Sequence, residues 1–269
     1  MRRATKTMSF TSGKGGVGKS TLVTNVAVQM AELGQRVLIL DGDLGMANVD
    51  IMFKVRSPYS IFDVIEGEKT LSEVILKIND RISLIPGGSG IYELSRVSTL
   101  QKQTLMSQVS ELEQEYDFML VDTAPGIDEN VLYLNSATQE INVVLTPDPS
   151  SLTDAYALIK VLHQQKREEK FSIICNQVRN EAEGYQIFKR LVDVASKFLY
   201  VSLQYRGSVP SDPQLRQAMI SNQVVSLSHR RSPATVSIRD ISEKMCGSGG
   251  LSEAKGGLQF FWHQFVGAV

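Results

Sequence analysis

Two kinds of hydrophobic pattern alternate along the chain. Short runs that are apolar nearly throughout occur at 7–12 (TMSFTS), 36–41 (RVLILD), 82–87 (ISLIPG), 118–124 (FMLVDTA), 141–147 (INVVLTP), 171–177 (FSIICNQ) and 198–205 (FLYVSLQY). A strand that is apolar on both faces is covered on both faces, as in a parallel sheet between layers of helices. The second pattern repeats every three or four residues. Leu22, Val23, Val26, Ala27, Met30 and Leu33 predict a helix, with Gly34 as its C-cap. Further helical patterns lie near 96–115, 151–168, 183–197 and 232–246. The alternation predicts an α/β fold, a doubly wound, mostly parallel sheet flanked by helices. No internal repeat or low-complexity segment interrupts it. One linker-like stretch, GSGG at 247–250, divides the chain into a body of 1–246 and a tail of 247–269.

Composition narrows the setting. The 269 residues suffice for a sizeable core, in one large domain or two small ones. Apolar residues are 42% and charged residues 21%, ordinary for a globular protein. A formal net charge of −1 supplies no global attraction to nucleic acid or to an anionic membrane. Cys175 and Cys246 are far apart and form no C-x-x-C pair, so a reducing cytosol is the expected compartment. The opening MRRATKTMSF lacks the apolar run of a signal peptide. No stretch approaches the roughly 20 apolar residues of a spanning helix.

The chemistry begins at residues 11–21, TSGKGGVGKST. Gly13, Gly18, Lys19 and Ser20 fit G-x-x-x-x-G-K-[ST], with a strand before and a helix after. Glycines let backbone N–H groups turn inward around phosphates, and the helix N-terminus adds its dipole. Gly13, Lys14, Gly15, Gly16, Val17, Gly18, Lys19, Ser20 and Thr21 are therefore candidate nucleotide-binding residues. Lys19 would neutralise β/γ-phosphate charge and the Ser20 hydroxyl would ligate Mg²⁺. A glycine-rich turn without ligand is the competing reading. Lys14 lies outside the motif, although one lysine is enough to hold the terminal phosphates.

Carboxylates follow two of the strands. LILDGDLG puts Asp41 and Asp43 at the end of one, and FMLVDTAPG puts Asp122 at the end of another. In open α/β sheets ligands sit beyond the carboxyl ends of the strands, so these residues and the loop converge on one crevice. Asp122 fits an acidic Mg²⁺ partner, and Gly126 lets its loop respond to a γ-phosphate. Asp41 suits the metal and Asp43 the attacking water. A helix N-cap and turn at Asp41 and Asp43 is the alternative. Asp148, in TPDPSS, lies near the same crevice. Asn176 carries the paired donor and acceptor that the edge of adenine needs, and a turn-forming role is equally open.

Lys14 with Gly15–Lys19 makes K-G-G-x-G-K-[ST], which resembles the deviant Walker A motif of the MinD/ParA family of dimerising ATPases. The resemblance extends through DGDLGMANVD, DTAPG, TPDPSSLTDAYALIKVL, Asn176 and SVPSDPQLRQA. DGDLGMANVD and TPDPSSLTDAYALIKVL look most like the flagellar-number branch, the FlhG/FleN type. The resemblance implies an ATPase using ATP/ADP and Mg²⁺, with Ser20, Asp41 and Asp122 at the metal and Lys14, Lys19 and Asp43 as catalytic residues. It places Asn176, Pro210 and Asp212 at adenine, and Asp148 at the ribose or the partner subunit. It makes Lys14 a lysine that crosses to the partner subunit's phosphates, so the ATP homodimer is the competent state. It implies a protein partner such as a flagellar-placement GTPase or a flagellar regulator. Flagellar members often carry a longer N-terminal extension that stimulates a GTPase. Here only a few residues, among them Arg2, Arg3 and Lys6, precede the first strand.

Other classes fit less well. An iron–sulfur carrier needs paired cysteines at a dimer seam. A DNA-partition ATPase needs a basic surface, against 28 basic and 29 acidic residues here. A division-site positioning ATPase and a non-catalytic nucleotide-binding regulator remain as alternatives. In the tail, Leu258, Phe261, Trp262, Phe265, Val266 and Val269 fall on one helical stripe. The family resemblance reads it as a membrane-targeting helix, which makes the protein cytoplasmic and reversibly peripheral on the inner face of the cell membrane. The alternative is a stripe packed permanently on the body. Only Lys255 adds clear positive charge, so apolar insertion should outweigh attraction to anionic lipid.

The two lysines should separate experimentally. Lys14→Ala is expected to keep ATP binding and lose ATP-dependent dimerisation and hydrolysis, whereas Lys19→Ala loses tight ATP binding itself. Light scattering with and without ATP measures both. A Lys14→Ala protein that still forms the ATP dimer and turns over normally removes the trans-acting role.

Overall fold

The computed structural model describes residues 4–43, 49–87, 99–112, 115–247 and 255–267. The chain opens with β1 (Lys6–Thr11), α1 (Lys19–Glu32) and β2 (Val37–Gly42). Three short helices follow, α2 (Val49–Phe53), α3 (Ile61–Ile65) and α4 (Leu71–Val74), then β3 (Leu76–Lys77) and β4 (Ile82–Ile85). The middle of the chain forms α5 (Thr99–Leu112), β5 (Phe118–Thr123), α6 (Glu129–Ala137), β6 (Glu140–Leu145) and α7 (Pro149–Lys166). Next come β7 (Lys170–Val178), α8 (Glu181–Phe198) and β8 (Ser202–Pro210), then α9 (Pro213–Ile220), α10 (Val225–Ser228), α11 (Pro233–Gly247) and α12 (Leu258–Gly267).

The strands form one sheet in the order β3-β4-β2-β5-β1-β6-β7-β8. Every pairing is parallel except the short β3–β4 ladder. Successive residues of β2 serve opposite faces, as strand geometry requires. Val37 and Ile39 join the core under α1 and α11, while Leu38 and Leu40 join the core under α5, α6 and α12. A third cluster fills the space between β6, β7, α7 and α8. The order reverses at β1, with β5 on one side and β6 on the other, so the loop after β1 opens at the switch point of the sheet.

Two boundaries differ from expectation. The run 198–205 is not one strand. Phe198 ends α8 at 71% exposure, Tyr200 is 93% exposed, and β8 begins at Ser202 and continues to Pro210. Gly247, expected in the linker, is the last residue of α11. Residues 248–250 of that linker, 44–48 of DGDLGMANVD and 96–98 of the helix expected near 96–115 lie outside the described residues.

The tail is docked on the body. Leu258, Phe261 and Trp262 are fully buried against α5 and α6, while Gln259, His263 and Gln264 face solvent. The side chains of Phe265 and Val266, and Val269 altogether, lie outside the described residues.

A buried polar seam fastens α6 to β1. The Ser9 hydroxyl donates to Asn135 Oδ1 at 2.7 Å, Asn135 Nδ2 donates to Thr11 Oγ1 at 3.1 Å, and Thr138 Oγ1 donates to Ser9 Oγ at 3.1 Å. All four side chains are inaccessible to solvent. Asn135→Leu keeps the volume but strands the partners' polar atoms, which costs about 1–3 kcal/mol. Urea unfolding should show a lower midpoint with an unchanged slope; an unchanged midpoint would mean the seam is energetically idle.

Candidate functional site

The loop between β1 and α1 has a backbone only glycine adopts readily. Gly16 and Gly18 sit at φ 78° and 90°. Gly18 is also the N-cap of α1 and offers no side chain to the helix's free N–H groups. The first turn of α1 contains no acidic residue. Its donors and dipole are thus left for an anion. Space is tight around the loop. A Cβ on Gly13 would lie 2.2 Å from the Asp154 carbonyl oxygen, and one on Gly18 would lie 2.5 Å from Asn176 Nδ2.

Three carboxylates meet this loop. Parallel pairing puts Asp41 of β2 beside Asp122 of β5, and Asp122 beside Phe10 of β1. Asp41 and Asp122 are 2% and 1% exposed. Burial, then the neighbouring Asp122 charge, pushes the Asp41 carboxyl up to about 7. Burial pushes Asp122 up to about 6, opposed by the Ser20 hydroxyl and the Lys19 ammonium. Neither Asp122 oxygen has a protein donor at full hydrogen-bond geometry, although the Ser20 hydroxyl is near enough to favour the charged form. Lys19 is 7% exposed, and desolvation lowers its pKa against the pull of Asp122 and Asp43. Asp43 is half-buried just beyond β2.

The chemistry of this donor set fits Mg²⁺ with a phosphate chain. A buried carboxylate beside a serine hydroxyl suits a hard cation, and the loop with Lys19 suits the anion. Asp41 does more than this. Its Oδ1 accepts from the Asp43 N–H at 3.2 Å and its Oδ2 from the Val49 N–H at 3.4 Å. Asp41 thus fills the turn role considered for it, with both oxygens engaged by backbone N–H groups. A cavity of about 170 Å³ adjoins Asp41, but Asp50 and Asp63 also line it and no residue of the phosphate loop does. Three carboxylates make it unsuited to phosphate.

The remaining candidates fall into two groups. Lys14 turns away from its own loop. Its ammonium donates to Asp148 Oδ2 at 2.5 Å and Ser150 Oγ at 2.7 Å, at the N-terminus of α7. That bond holds the Asp148 carboxyl below its usual range. Asn176, at the end of β7, donates from Nδ2 to the Val17 carbonyl at 2.7 Å, and its Oδ1 accepts from the Gln177 N–H at 2.9 Å. Pro210 and Ser211 run beside it, with Ser211 N–H bonded to the Val178 carbonyl at 2.7 Å. Asp212 has a structural task. It caps α9 through the Gln214 N–H at 2.8 Å and ties in α11 through the Ala234 N–H at 3.0 Å. Burial raises its pKa, but these N–H groups outweigh it and the carboxyl titrates low.

The sequence reading missed three participants. Ser12 joins the loop to the Asp122 side, accepting the Gly126 N–H at 2.9 Å and donating from Oγ to the Lys14 carbonyl at 2.7 Å. Gln177, at φ 58°, reaches the Gly16 carbonyl at 3.4 Å. Ser150 holds Lys14. Ser150 follows from the Asp-x-Ser cap pattern; Gln177 gives no local signal, because its partner is 161 positions away.

Residues 5–174 match the family described as AAA domain. The chain is 35% identical over 259 residues to the antiactivator FleN of Pseudomonas aeruginosa, covering 96% of this chain and 92% of that protein. It is 31% identical over 266 residues to the flagellum site-determining protein YlxH of Helicobacter pylori, covering 97% and 90%. Among solved structures, the septum site-determining protein MinD of Pyrococcus horikoshii, complexed with Mg-ADP, superposes at TM-score 0.69 and 25% identity, covering 92% of this chain and 98% of that one.

The raised carboxyls fix a pH dependence. Asp41 and Asp122 hold protons in the folded, ligand-free protein at pH values where the unfolded chain has lost them. The folded state therefore binds more protons, and stability falls as pH rises from about 4 to about 7. The carboxyls of Asp148 and Asp212, held low, act below that window. Scanning calorimetry should show a midpoint falling between about pH 5 and 7.5, with Mg-ADP raising it more at the upper end. A ligand increment independent of pH would contradict this.

Proposed function

Because the chain belongs to the MinD/ParA family of ATPases, in the FlhG/FleN branch, we propose that it is an ATP-dependent dimerising switch that binds membrane reversibly and controls the placement or number of flagella. As a family member it hydrolyses ATP with Mg²⁺. The metal, when bound, neutralises charge on the β- and γ-phosphates. Ser20 and Asp122 would hold it, with Asp41 beside them. The backbone N–H groups of Gly13–Ser20 and the dipole of α1 would cradle the phosphates, and Lys19 adds a positive charge in a buried setting. Asp43 orients the attacking water and takes its proton. Asn176 faces the base from the end of β7, and its bond to Val17 lets occupancy there bear on the shape of the loop.

Lys14 supplies the dimer requirement. Within one subunit it is held by Asp148 and Ser150 rather than by its own phosphate cradle. In the ATP dimer it exchanges those partners for the other subunit's phosphates, a charge supplied in trans. Flagellar control is inferred from the two flagellar relatives, and the protein partner is a flagellar GTPase or regulator.

The membrane half of the reading rests on one observation, the docked α12. Its fully buried Leu258, Phe261 and Trp262 are the apolar face that an interfacial helix inserts. A ten-residue helix is too short to span a bilayer, and no described helix is long and apolar enough to do so. One such helix binds lipid marginally; two on a dimer act together at high effective concentration. Liposome sedimentation should show the full chain pelleting with ATP and remaining in the supernatant with ADP, and a chain ending at Gly250 failing to pellet in either. Equal sedimentation in both nucleotide states, or no loss on truncation, makes α12 a structural helix only.

A further inference from the structure

The tail is held by a polar contact as well as by its apolar face. Lys255 lies three residues before α12 and sits over the C-terminal end of α6. Its ammonium donates to the Ser136 carbonyl at 3.0 Å, the Thr138 carbonyl at 3.1 Å and Glu168 Oε1 at 2.7 Å. An ammonium has three N–H donors, so all are satisfied. The two carbonyls belong to the last turn and cap of α6, where the helix dipole is negative. Glu168 is 9% exposed; burial raises its pKa and Lys255 opposes the rise. The main chain of Lys255 is fixed too. Its carbonyl accepts from Gln139 Nε2 at 3.0 Å, and Gln139 Oε1 in turn accepts the Thr7 N–H of β1 at 2.9 Å.

We propose that Lys255 is a latch: seated in the carbonyl cage of α6 and paired with Glu168, it holds the C-terminal helix on the body, and loss of that seat frees the helix. The proposal rests on the switch reading for the purpose of release, but the latch itself is a property of the chain alone. Its position links it to the nucleotide site. The N-terminal end of α6 follows the loop 124–128, which leads from Asp122 and whose Gly126 N–H bonds Ser12 of the phosphate loop. The Ser9–Asn135–Thr138 seam fastens α6 to β1, the strand that enters the phosphate loop. A shift of the Asp122 loop therefore acts on the helix whose last carbonyls hold Lys255. Apolar burial alone does not determine when a short helix leaves. A charge seated on an element shared with the active site gives release a trigger.

Trp262 makes this measurable, because it is the chain's single tryptophan and is fully buried. Acrylamide quenching of its fluorescence in the full-length protein reads release directly, without lipid. Lys255→Met should raise the released fraction about tenfold, equivalent to about 1.4 kcal/mol, in the ligand-free and ADP states alike. Lys255→Arg should stay closer to wild type. Sedimentation with vesicles of zwitterionic and anionic phospholipid then separates the two claims. A Lys255→Met protein whose Trp262 is exposed without nucleotide and which pellets with ATP supports both. Exposure with no pelleting even in ATP supports the latch and removes the membrane reading. Trp262 as protected as in wild type overturns the latch. If Lys255→Met loses ADP binding, and so the folded body, Glu168→Gln tests the contact from the other side: partial exposure of Trp262 is expected, and full protection overturns the proposal.

Discussion

Two buried carboxylates, side by side on neighbouring strands, are the constraint around which this molecule is arranged. Asp41 and Asp122 occupy register-matched positions at the carboxyl ends of β2 and β5, almost out of reach of solvent. Such a pair is unfavourable in the ligand-free protein, which is why both carboxyls are pushed upward. The surroundings answer the charge without cancelling it. Lys19 is close but itself desolvated, the Ser20 hydroxyl is nearby, and α1 begins without a capping side chain. A cation and a polyphosphate are the ligands that would offset this cost, and their binding would then stabilise the fold.

That arrangement gives the nucleotide leverage over the rest of the fold. The loop leaving Asp122 runs directly into α6, and α6 borders both the phosphate-loop strand and the docked tail. On the opposite flank, the first turn of α7 carries Asp148 and Ser150, which hold Lys14. The elements that contact the docked tail and hold Lys14 thus begin at the carboxyl ends of β5 and β6, the strands flanking β1. In a parallel sheet the loops at one end converge on one crevice while their helices diverge over the surface, and this topology lets a single ligand address both.

Much of this was legible in the sequence, for identifiable reasons. The strands covered on both faces leave runs that hydrophobicity alone detects, and the phosphate loop announces itself because its glycines meet a local backbone demand. The strand boundary near 198–205 failed because Phe198 and Tyr200 are apolar but exposed, so the run merged the end of α8 with the start of β8. Helix α6 escaped notice because its buried face includes Asn135, with Thr138 just beyond, and both are satisfied by Ser9 and Thr11 more than a hundred residues away. The task of Asp212 depends on Ala234, and the seat of Lys255 on Ser136 and Glu168; neither partner is a sequence neighbour. Read in isolation, Lys255 was a charge available to lipid. In the fold it is spent on the body.

Asp122 is held at an energetic disadvantage that a Mg²⁺–nucleotide ligand would relieve. Asp122→Asn tests this in one protein, by thermal unfolding without ligand and by phosphate release with Mg-ATP. The variant should unfold at a higher midpoint than wild type and lose hydrolysis, because the substitution removes a buried, incompletely compensated charge and the proposed metal partner at once. A variant that is less stable yet hydrolyses ATP normally would contradict this, leaving Asp122 a structural carboxylate.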